Sequence, residues 1–459
     1  MLVIISDLHL TDGTSGETIT AGAFRVFRAN LRDMAYDASW RADGTYRPIE
    51  EIHLVLLGDI LDLIRSTQWP ARKTDPGYVR PWDDPQSPLF VGKVGAINDA
   101  ILEHNAESMS ILRGLGDERT ITIPPATQDR KPAHVPWEPD APERLPVKVH
   151  LHYLVGNHDW FLHLPGDAYD QIRQKVIRSL GLSNPPRGPF PHDPQEYETI
   201  RSIYGQHKVF ARHGDIFDPF NYEGDRNASS LGDAIVVDLV NRFSTEVNRD
   251  LGNSLPENCI AGLKEIDNVR PMLLIPVWID GLLRRTCSDV TQMKKVKEVW
   301  DSLVDDFLRL DFVRMRDSAL NPFDSVDKLE WALKFSRGVS FELISRVVLW
   351  VKEKMKGTDS FYPHALAERE FKDRTAQYIV YGHTHHYEVR PLSVSNMGGK
   401  SFNQVYLNSG TWRQVHDQAM ADPSLQEFVG YKVMTYLAFF KDDERGGRSL
   451  EAWSGTLNI

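Results

Sequence analysis

The chain has 459 residues, 41% hydrophobic and 25% charged, with a formal net charge of −11 and only two cysteines. That length exceeds one ordinary core and implies either a large domain with insertions or two domains, while the composition excludes wholesale disorder. The acidic balance is spread along the chain without a basic run, which argues against nucleic acid as partner, and Cys259 and Cys287 lack the spacing of a zinc site or a disulfide framework, which fits a reducing cytoplasm.

The first residues, Met1-Leu2-Val3-Ile4-Ile5, read as a strand buried on both faces that ends in Ser6-Asp7-Leu8-His9. The apolar run meets Asp7 at once and lacks the basic leader and length of a signal peptide. In open α/β sheets ligands bind beyond the carboxyl ends of strands, so two metal-ligand types at a strand end direct attention to the other strand ends. A Thr- and Gly-rich loop follows, then a helix predicted over Ala21 to Ala38 with Phe24, Phe27, Leu31 and Met34 on one face.

The next strand, His53 to Leu57, runs into Gly58-Asp59-Ile60-Leu61-Asp62, where Gly58 permits a tight turn. Taken alone, Gly-Asp is an ordinary strand-to-loop turn. Residues 65 to 90 and 115 to 147 are Pro-rich surface loops flanking an apolar-periodic helix at about Val91 to Leu112. A strand from Val149 to Val155 delivers Gly156-Asn157-His158-Asp159; its own His150 and His152 alternate with apolar residues and read as structural. After a helix at about Tyr169 to Leu180 and a Pro-rich loop, the strand Val209-Phe210-Ala211 leads to Arg212-His213-Gly214-Asp215.

From about Ser229 to Gln377 no alternating strand is evident, and helical periodicity recurs at 231 to 250, 277 to 285, 290 to 317, 326 to 356 and 363 to 374. The expected organisation is a core in two parts, 1–228 and 377–459, split by a helical insertion at 229–376. The apolar stretch Pro271 to Leu283 is interrupted by Pro276 and Asp280 and falls short of a membrane span. Together with Val347 to Val351 it reads as the insertion's own core, with an acyl-chain groove or peripheral membrane contact as the sharper alternative. The core resumes with the strand Tyr378 to Tyr381, ending in Gly382-His383-Thr384-His385-His386. Strands at Glu388 to Leu392 and Gln404 to Leu407 follow, then Asn408 to Trp412, and a hairpin pairing Tyr431 to Lys441 with Ser449 to Trp453.

Five strand ends thus carry Asp7 and His9, Asp59, Asn157 and His158, His213, and His383 and His385. Each signal alone is weak; the five together, each directly after an apolar run, are not. Imidazole, carboxylate and amide donors without thiolate suit Mn, Fe, Zn or Ni. Two such ions about 3.5 to 4 Å apart can clamp the attacking and leaving oxygens of an in-line displacement at phosphorus, and a bound water with its pKa lowered to about 7 would supply the nucleophile.

As a set, Asp-x-His, Gly-Asp-x-x-Asp, Gly-Asn-His-Asp, His-Gly-Asp and Gly-His-Thr-His resemble the calcineurin-like metallophosphoesterase superfamily. The resemblance covers residues 1 to 220 and 377 to 459. It implies an α/β fold, a four-layer α/β/β/α sandwich with a dinuclear centre, here carrying a large inserted helical region. It further implies that Asp7, His9 and His385 hold one ion, that Asn157, His213 and His383 hold the other, and that Asp59 bridges. His158 would face the phosphate as the catalytic residue, with Asp159 orienting its ring, and Asp62 and Asp215 would support the ligands or act as turn or cap aspartates. His386 lies beyond the motif and reads as a surface residue, and Ser409 to Trp412 would close a loop near the site.

The expected activity is metal-dependent hydrolysis of a phosphoester or pyrophosphate bond in a phosphorylated small-molecule or nucleotide-type substrate, with Mn or Fe as the first expectation for the ions and Zn or Ni next. The insertion after His-Gly-Asp resembles in part the UDP-2,3-diacylglucosamine pyrophosphohydrolase branch, which often has Arg where this chain has His158 and has a far shorter insertion. The alternatives are a nuclease acting on DNA or RNA, which the acidic balance disfavours, and a non-catalytic scaffold of the same fold, which would be marked by a lost ligand. The expected location is cytoplasmic.

Overall fold

The computed structural model describes the chain except residues 70–72, 136–137, 139–140, 142, 271–273, 288, 317–332, 334–335, 337–339, 346–359, 398–399, 423–424 and 458–459, and the side chains of 397 and 400. It is a mixed α/β structure built on two principal sheets. In chain order its first elements are β1 (Leu2–Ile5), α1 (Ala21–Ala38), β2 (Glu51–Leu57), α2 (Pro88–His104), α3 (Ala106–Gly114), the short pair β3 (Thr122–Ile123) and β4 (Leu145–Pro146), β5 (Lys148–Leu154), α4 (Asp167–Leu180), α5 (Glu198–His207) and β6 (Val209–Ala211). The insertion contributes α6 (Leu231–Ile235), α7 (Arg242–Leu251), α8 (Glu257–Lys264), β7 (Val269–Arg270), α9 (Ile275–Thr286) and α10 (Val290–Leu308). The chain closes with β8 (Tyr378–Tyr381), β9 (Tyr387–Met397), β10 (Lys400–Ser409), β11 (Arg413–Gln418), β12 (Phe428–Phe439) and β13 (Leu450–Leu457).

The larger sheet runs β5-β2-β1-β12-β11-β7 with β13 on β12, and the smaller runs β6-β8-β10-β9. Within them β5, β2 and β1 are mutually parallel, as are β6, β8 and β10. Parallel pairing places their carboxyl ends along common edges, so the loops carrying the candidate ligands leave the sheets side by side.

Alternation along β1 shows how the layers are held. Val3 and Ile5 join a core with Phe24, Phe27, Leu31 and Met34 of α1, whereas Leu2 and Ile4 join a second core with Val209, Ala211, Val380 and Leu407 of the smaller sheet. Successive side chains of a strand point to opposite faces, so a strand with apolar residues at every position is buried between two layers. The outer face of the smaller sheet, with Phe210, Ile379, Tyr381 and Tyr406, packs on Ala365, Phe361 and Phe371.

The structure differs from the sequence reading at several elements. The helix expected at 91 to 112 is two, because the Asn105 side chain donates to Thr11 O (2.8 Å) and Ile101 O (2.9 Å) and ends α2. The insertion is not wholly helical: β7 pairs in parallel with β11, His416 opposite Val269 and Asp417 opposite Arg270, and both strands were missed. The segment expected as one helix at 363 to 374 forms two short ones, Tyr362–Ala365 and Arg369–Lys372, and packs on the smaller sheet, so it belongs to the core rather than to the insertion. α10 ends at Leu308, short of the expected 317.

The insertion has its own core, including Leu239, Phe243, Val247, Leu263, Trp278, Ile279, Val296, Trp300 and Val304. Of the apolar stretch at 272 to 279, Leu274, Val277 and Ile279 face that core; Met272, Leu273, Val347 to Val351 and most of the helix expected at 326 to 356 lie outside the described residues. Among the described residues no helix is long and apolar enough to cross a membrane.

Candidate metal centre

The loops that leave the strands are laced together before any side chain is considered. Asp7 N donates to Gly58 O (3.1 Å), His9 N to Asp59 O (2.9 Å) and Leu10 N to Ile60 O (2.9 Å), extending the β1–β2 pairing past the strand ends. Thr411 Oγ1 and Trp412 N both donate to Asp7 O, at 2.8 and 3.0 Å, so the 409–412 loop closes beneath Asp7. The turns are sharp: Asp7, His9, Asp59, His383 and His385 have φ of 54°, 45°, 54°, 66° and 63°, a left-handed conformation disfavoured for residues with a Cβ. Gly156 has no room for a side chain, since a Cβ there would sit 2.3 Å from Asp59 Oδ1 and 2.7 Å from His213 Nε2.

Those turns gather the side chains into two adjoining groups. In the first, Asp7, His9, Asp59 and His385 each offer a ligand atom within 4.8 Å of the others. His385 Nε2 lies 3.2 Å from Asp7 Oδ1 and 2.9 Å from His9 Nε2. In the second, Asp59, His213 and His383 meet the same limit, and Asn157 Oδ1 lies 3.2 Å from His213 Nε2 and 3.0 Å from His383 Nδ1. Asp59 is common to both groups, with Oδ2 3.7 Å from His9 Nε2 and 3.3 Å from His213 Nε2.

Three of the imidazoles are oriented from behind, which fixes the nitrogen turned to the centre. His9 Nδ1 is 2.7 Å from Asp62 Oδ2, His213 Nδ1 donates to Leu57 O at 2.9 Å, and His383 Nε2 is 3.1 Å from Asp218 Oδ2. His385 is different: its Nδ1 faces the guanidinium of Arg270.

The support around His158 also departs from expectation. Its Nδ1 is 2.7 Å from Asp62 Oδ1, so Asp62 and not Asp159 orients the ring. Asp159 turns away from that ring and ties its own loop to β5 and to the Asp59 loop, accepting from Gly156 N, Ile60 N and Tyr153 Oη. Asp215 pairs with Arg226, whose Nη1 donates to Gly156 O at 3.2 Å, so it braces the loops rather than a ligand. Asp218 was missed, and no spacing signal distinguishes it from a turn aspartate. His150 and His152 stand in a row with His53 away from the centre, and His386 is exposed.

The electrostatics match a cradle for cations. Burial pushes the Asp7 carboxyl up to about 6, and its buried Oδ1 accepts no hydrogen bond among the described residues. Burial works against ionisation of Asp59 as well, but His213, His158 and His9 outweigh it and hold its carboxyl below the usual range. Burial lowers His9 to about 3 and His385 well below the ordinary imidazole range, leaving both neutral as ligation requires. For His158 burial is overcome by Asp62 and Asp59, which raise it to about 9. An orphaned carboxylate oxygen and converging imidazole, amide and carboxylate donors fit one or two divalent ions of the N/O-binding type.

Two cavities lie nearby. A cleft of about 820 Å³, lined among others by Gly16, Glu17, His104, Asn248, Glu257 and Lys264, separates the loop after β1 from the insertion and touches none of the candidate ligands. A smaller one of about 200 Å³, lined by His192, Asp193, Arg212, His213 and Asp215, reaches His213. A further group, His163, His192 and Glu196, shares His192 with that cavity.

No protein-family model and no curated protein sequence matches the chain.

Proposed function

We propose that the chain is a dinuclear-metal-dependent phosphoesterase of the calcineurin-like type, hydrolysing a phosphoester or pyrophosphate bond in a phosphorylated small molecule. The observation that carries this reading is the position of Asp59, a member of both ligand groups at once. The two sheets with a shared core between them and further cores on both outer faces support a four-layer α/β/β/α arrangement. Asp7, His9 and His385 would hold one ion, Asn157, His213 and His383 the other, with Asp59 bridging; Mn or Fe fits this donor set. When bound, the ions supply Lewis-acid charge to the phosphoryl oxygens and acidity to a water nucleophile.

The remaining work falls to this chain's own side chains. His158, whose ring stands edge-on 4.7 Å from that of His9 and whose protonated form Asp62 and Asp59 favour, would stabilise phosphoryl charge or give its proton to the leaving oxygen. Asp62 keeps that ring and the His9 ring aligned through separate oxygens. Asp59→Asn should remove both ions and abolish hydrolysis, whereas His158→Ala should retain the metal and lower turnover by about 10² to 10⁴. Metal analysis and assays with added manganese on a phosphomonoester, a generic phosphodiester, UDP-sugars and single-stranded DNA provide the test. If the protein binds no divalent ion and Asp59→Asn leaves hydrolysis unchanged, the reading is wrong. A preference for DNA with a steep salt dependence would mark a nuclease instead.

A further inference from the structure

Three arginines from separate elements are buried together beside the first ligand group. Arg270 ends β7, Arg413 begins β11, and Arg65 follows the Asp59 loop; they are 8%, 2% and 1% exposed. Buried guanidinium groups need counter-charge and hydrogen-bond acceptors. The carboxylates that act on them are Asp267, Asp62, Asp7 and Asp417, the last opposite Arg270 on β11, but not every guanidinium nitrogen finds an acceptor. Asp267 contacts Arg65 Nε, and Asp62, 3.9 Å from Arg65 Nη1, already serves His9 and His158 at 2.7 Å each. Arg413 Nη2 donates to Asp267 O (2.9 Å) and Asn268 Oδ1 (2.5 Å), but Arg413 Nε and Arg65 Nη2 have no hydrogen-bond partner among the described residues.

Arg270 is the member that reaches the centre. Its Nη1 is anchored by Asp267 O (2.9 Å) and Val269 O (2.8 Å), while Nε and Nη2 lie 3.2 and 3.1 Å from His385 Nδ1. A neutral imidazole that ligates through Nε2 carries its proton on Nδ1, and a guanidinium has no lone pair to receive it. Ligation by His385 Nε2 and the contact with Arg270 therefore exclude each other, so two charged donors need another acceptor once His385 ligates. They face the His385 ring from the side opposite the nitrogen that meets His9 and Asp7, so they stand one imidazole ring away from the first ligand group.

Resting on the phosphoesterase reading, we propose that Arg270, backed by Arg65 and Arg413, forms an anion subsite for a second phosphoryl group of the substrate, beside the one attacked. The preferred substrates are small molecules carrying two phosphoryl groups, either joined in a diphosphate or esterified on neighbouring carbons. The subsite is a product of the insertion, since β7 is what carries Arg270 to the edge of the larger sheet.

The test is calorimetric binding of inorganic phosphate and of pyrophosphate to the manganese-loaded protein, with metal content measured on the same samples. The parent should prefer pyrophosphate, and Arg270→Gln should weaken pyrophosphate roughly 10- to 100-fold, the loss of charged hydrogen bonds, with phosphate binding and metal content little changed. Arg270→Lys keeps the charge without the fork and should fall between; it also serves if the glutamine variant does not fold. Equal pyrophosphate binding by parent and variants overturns the subsite, and so does loss of an ion from the variants, which would make Arg270 a prop for His385. In steady-state assays, a higher kcat/KM for a nucleoside diphosphate or for a sugar bisphosphate than for the matching monophosphate supports the subsite and identifies the linkage, while equality across all three refutes it. A parent that binds no manganese and hydrolyses none of them defeats the phosphoesterase reading itself; a parent that does both but ignores the second phosphoryl defeats only the subsite.

Discussion

Asp218 Oδ2 lies 3.1 Å from His383 Nε2, behind the ring whose Nδ1 faces Asn157. The carboxylate is itself held by Phe220 N (2.9 Å) and Asn221 Nδ2 (2.8 Å), so it is a fixed brace. Carboxylates behind ligating imidazoles set ring orientation and basicity, and their loss typically lowers metal affinity about 10- to 100-fold. Asp218→Ala should therefore weaken one ion by that factor and leave the other in place. Metal content followed through a chelator titration checks this; two ions at parental affinity would show that the ring is held by its other contacts.

Asp62 and Asp159 are both buried aspartates of the ligand loops, but their variants should fail differently. Asp62→Asn disturbs the partners of His9 and His158 together, so the first ion and turnover should both suffer. Asp159→Asn keeps one side-chain oxygen and turns an NH2 group toward the donors of the other, so either the Gly156 amide or the Ile60 amide with the Tyr153 hydroxyl loses its acceptor, which should cost roughly 2 to 3 kcal/mol of stability. Denaturant unfolding alongside metal analysis separates the two. If Asp159→Asn proves as stable as the parent but catalytically dead, its loop-bracing role is wrong.

Gly156→Ala should damage the centre more than its size suggests. The new methyl would sit 2.3 Å from Asp59 Oδ1 and 2.7 Å from His213 Nε2, so the carboxylate common to both groups and one candidate ligand ring must both move. The expected loss is about 1 to 3 kcal/mol of stability, the usual range for overpacking, together with metal binding. Retention of two ions by the alanine variant would contradict this geometry.

Stability should fall with acid for a reason unrelated to the centre. Burial lowers His152 and His207 to about 3, and His207 Nδ1 is 2.8 Å from Ile203 O. In the unfolded chain a histidine titrates near 6.5, so between roughly pH 6.5 and 3 the unfolded state binds more protons and stability drops as pH falls. The stabilisation is complete above about pH 6.5, and each histidine contributes a slope of up to about 1.4 kcal/mol per pH unit below it. Urea unfolding of His207→Leu at pH 7, 6 and 5 should show a shallower decline than the parent; an identical slope would remove His207 from the account.

How much of this was legible in the sequence depended on which residues carried the information. β1 and β8 are short apolar runs that end abruptly at a candidate ligand, and burial on both faces leaves such a pattern in the chain itself. The helix over Ala21–Ala38 was readable to its ends because its apolar stripe repeats over several turns. β7 was not, since a strand of two residues has no alternation and exists only because β11 presents an edge. Asp218 and Arg270 acquire meaning only when folding brings them behind His383 and His385. The adjacency of His158 and Asp159 was misleading: in so tight a loop the two side chains diverge, and the partner comes from Asp62, distant in sequence.

The left-handed turns at Asp7, His9, Asp59, His383 and His385 set the proposed activity at odds with durability. At about 1 to 2 kcal/mol each, five such residues represent a strain of roughly 5 to 10 kcal/mol, comparable to the net stability of a typical domain. Glycine at any of them would relax the backbone and remove a polar group of the candidate centre in one step. A lineage or a laboratory selection that rewarded heat resistance alone would therefore erode these positions first, leaving a sturdier protein with nothing at its centre.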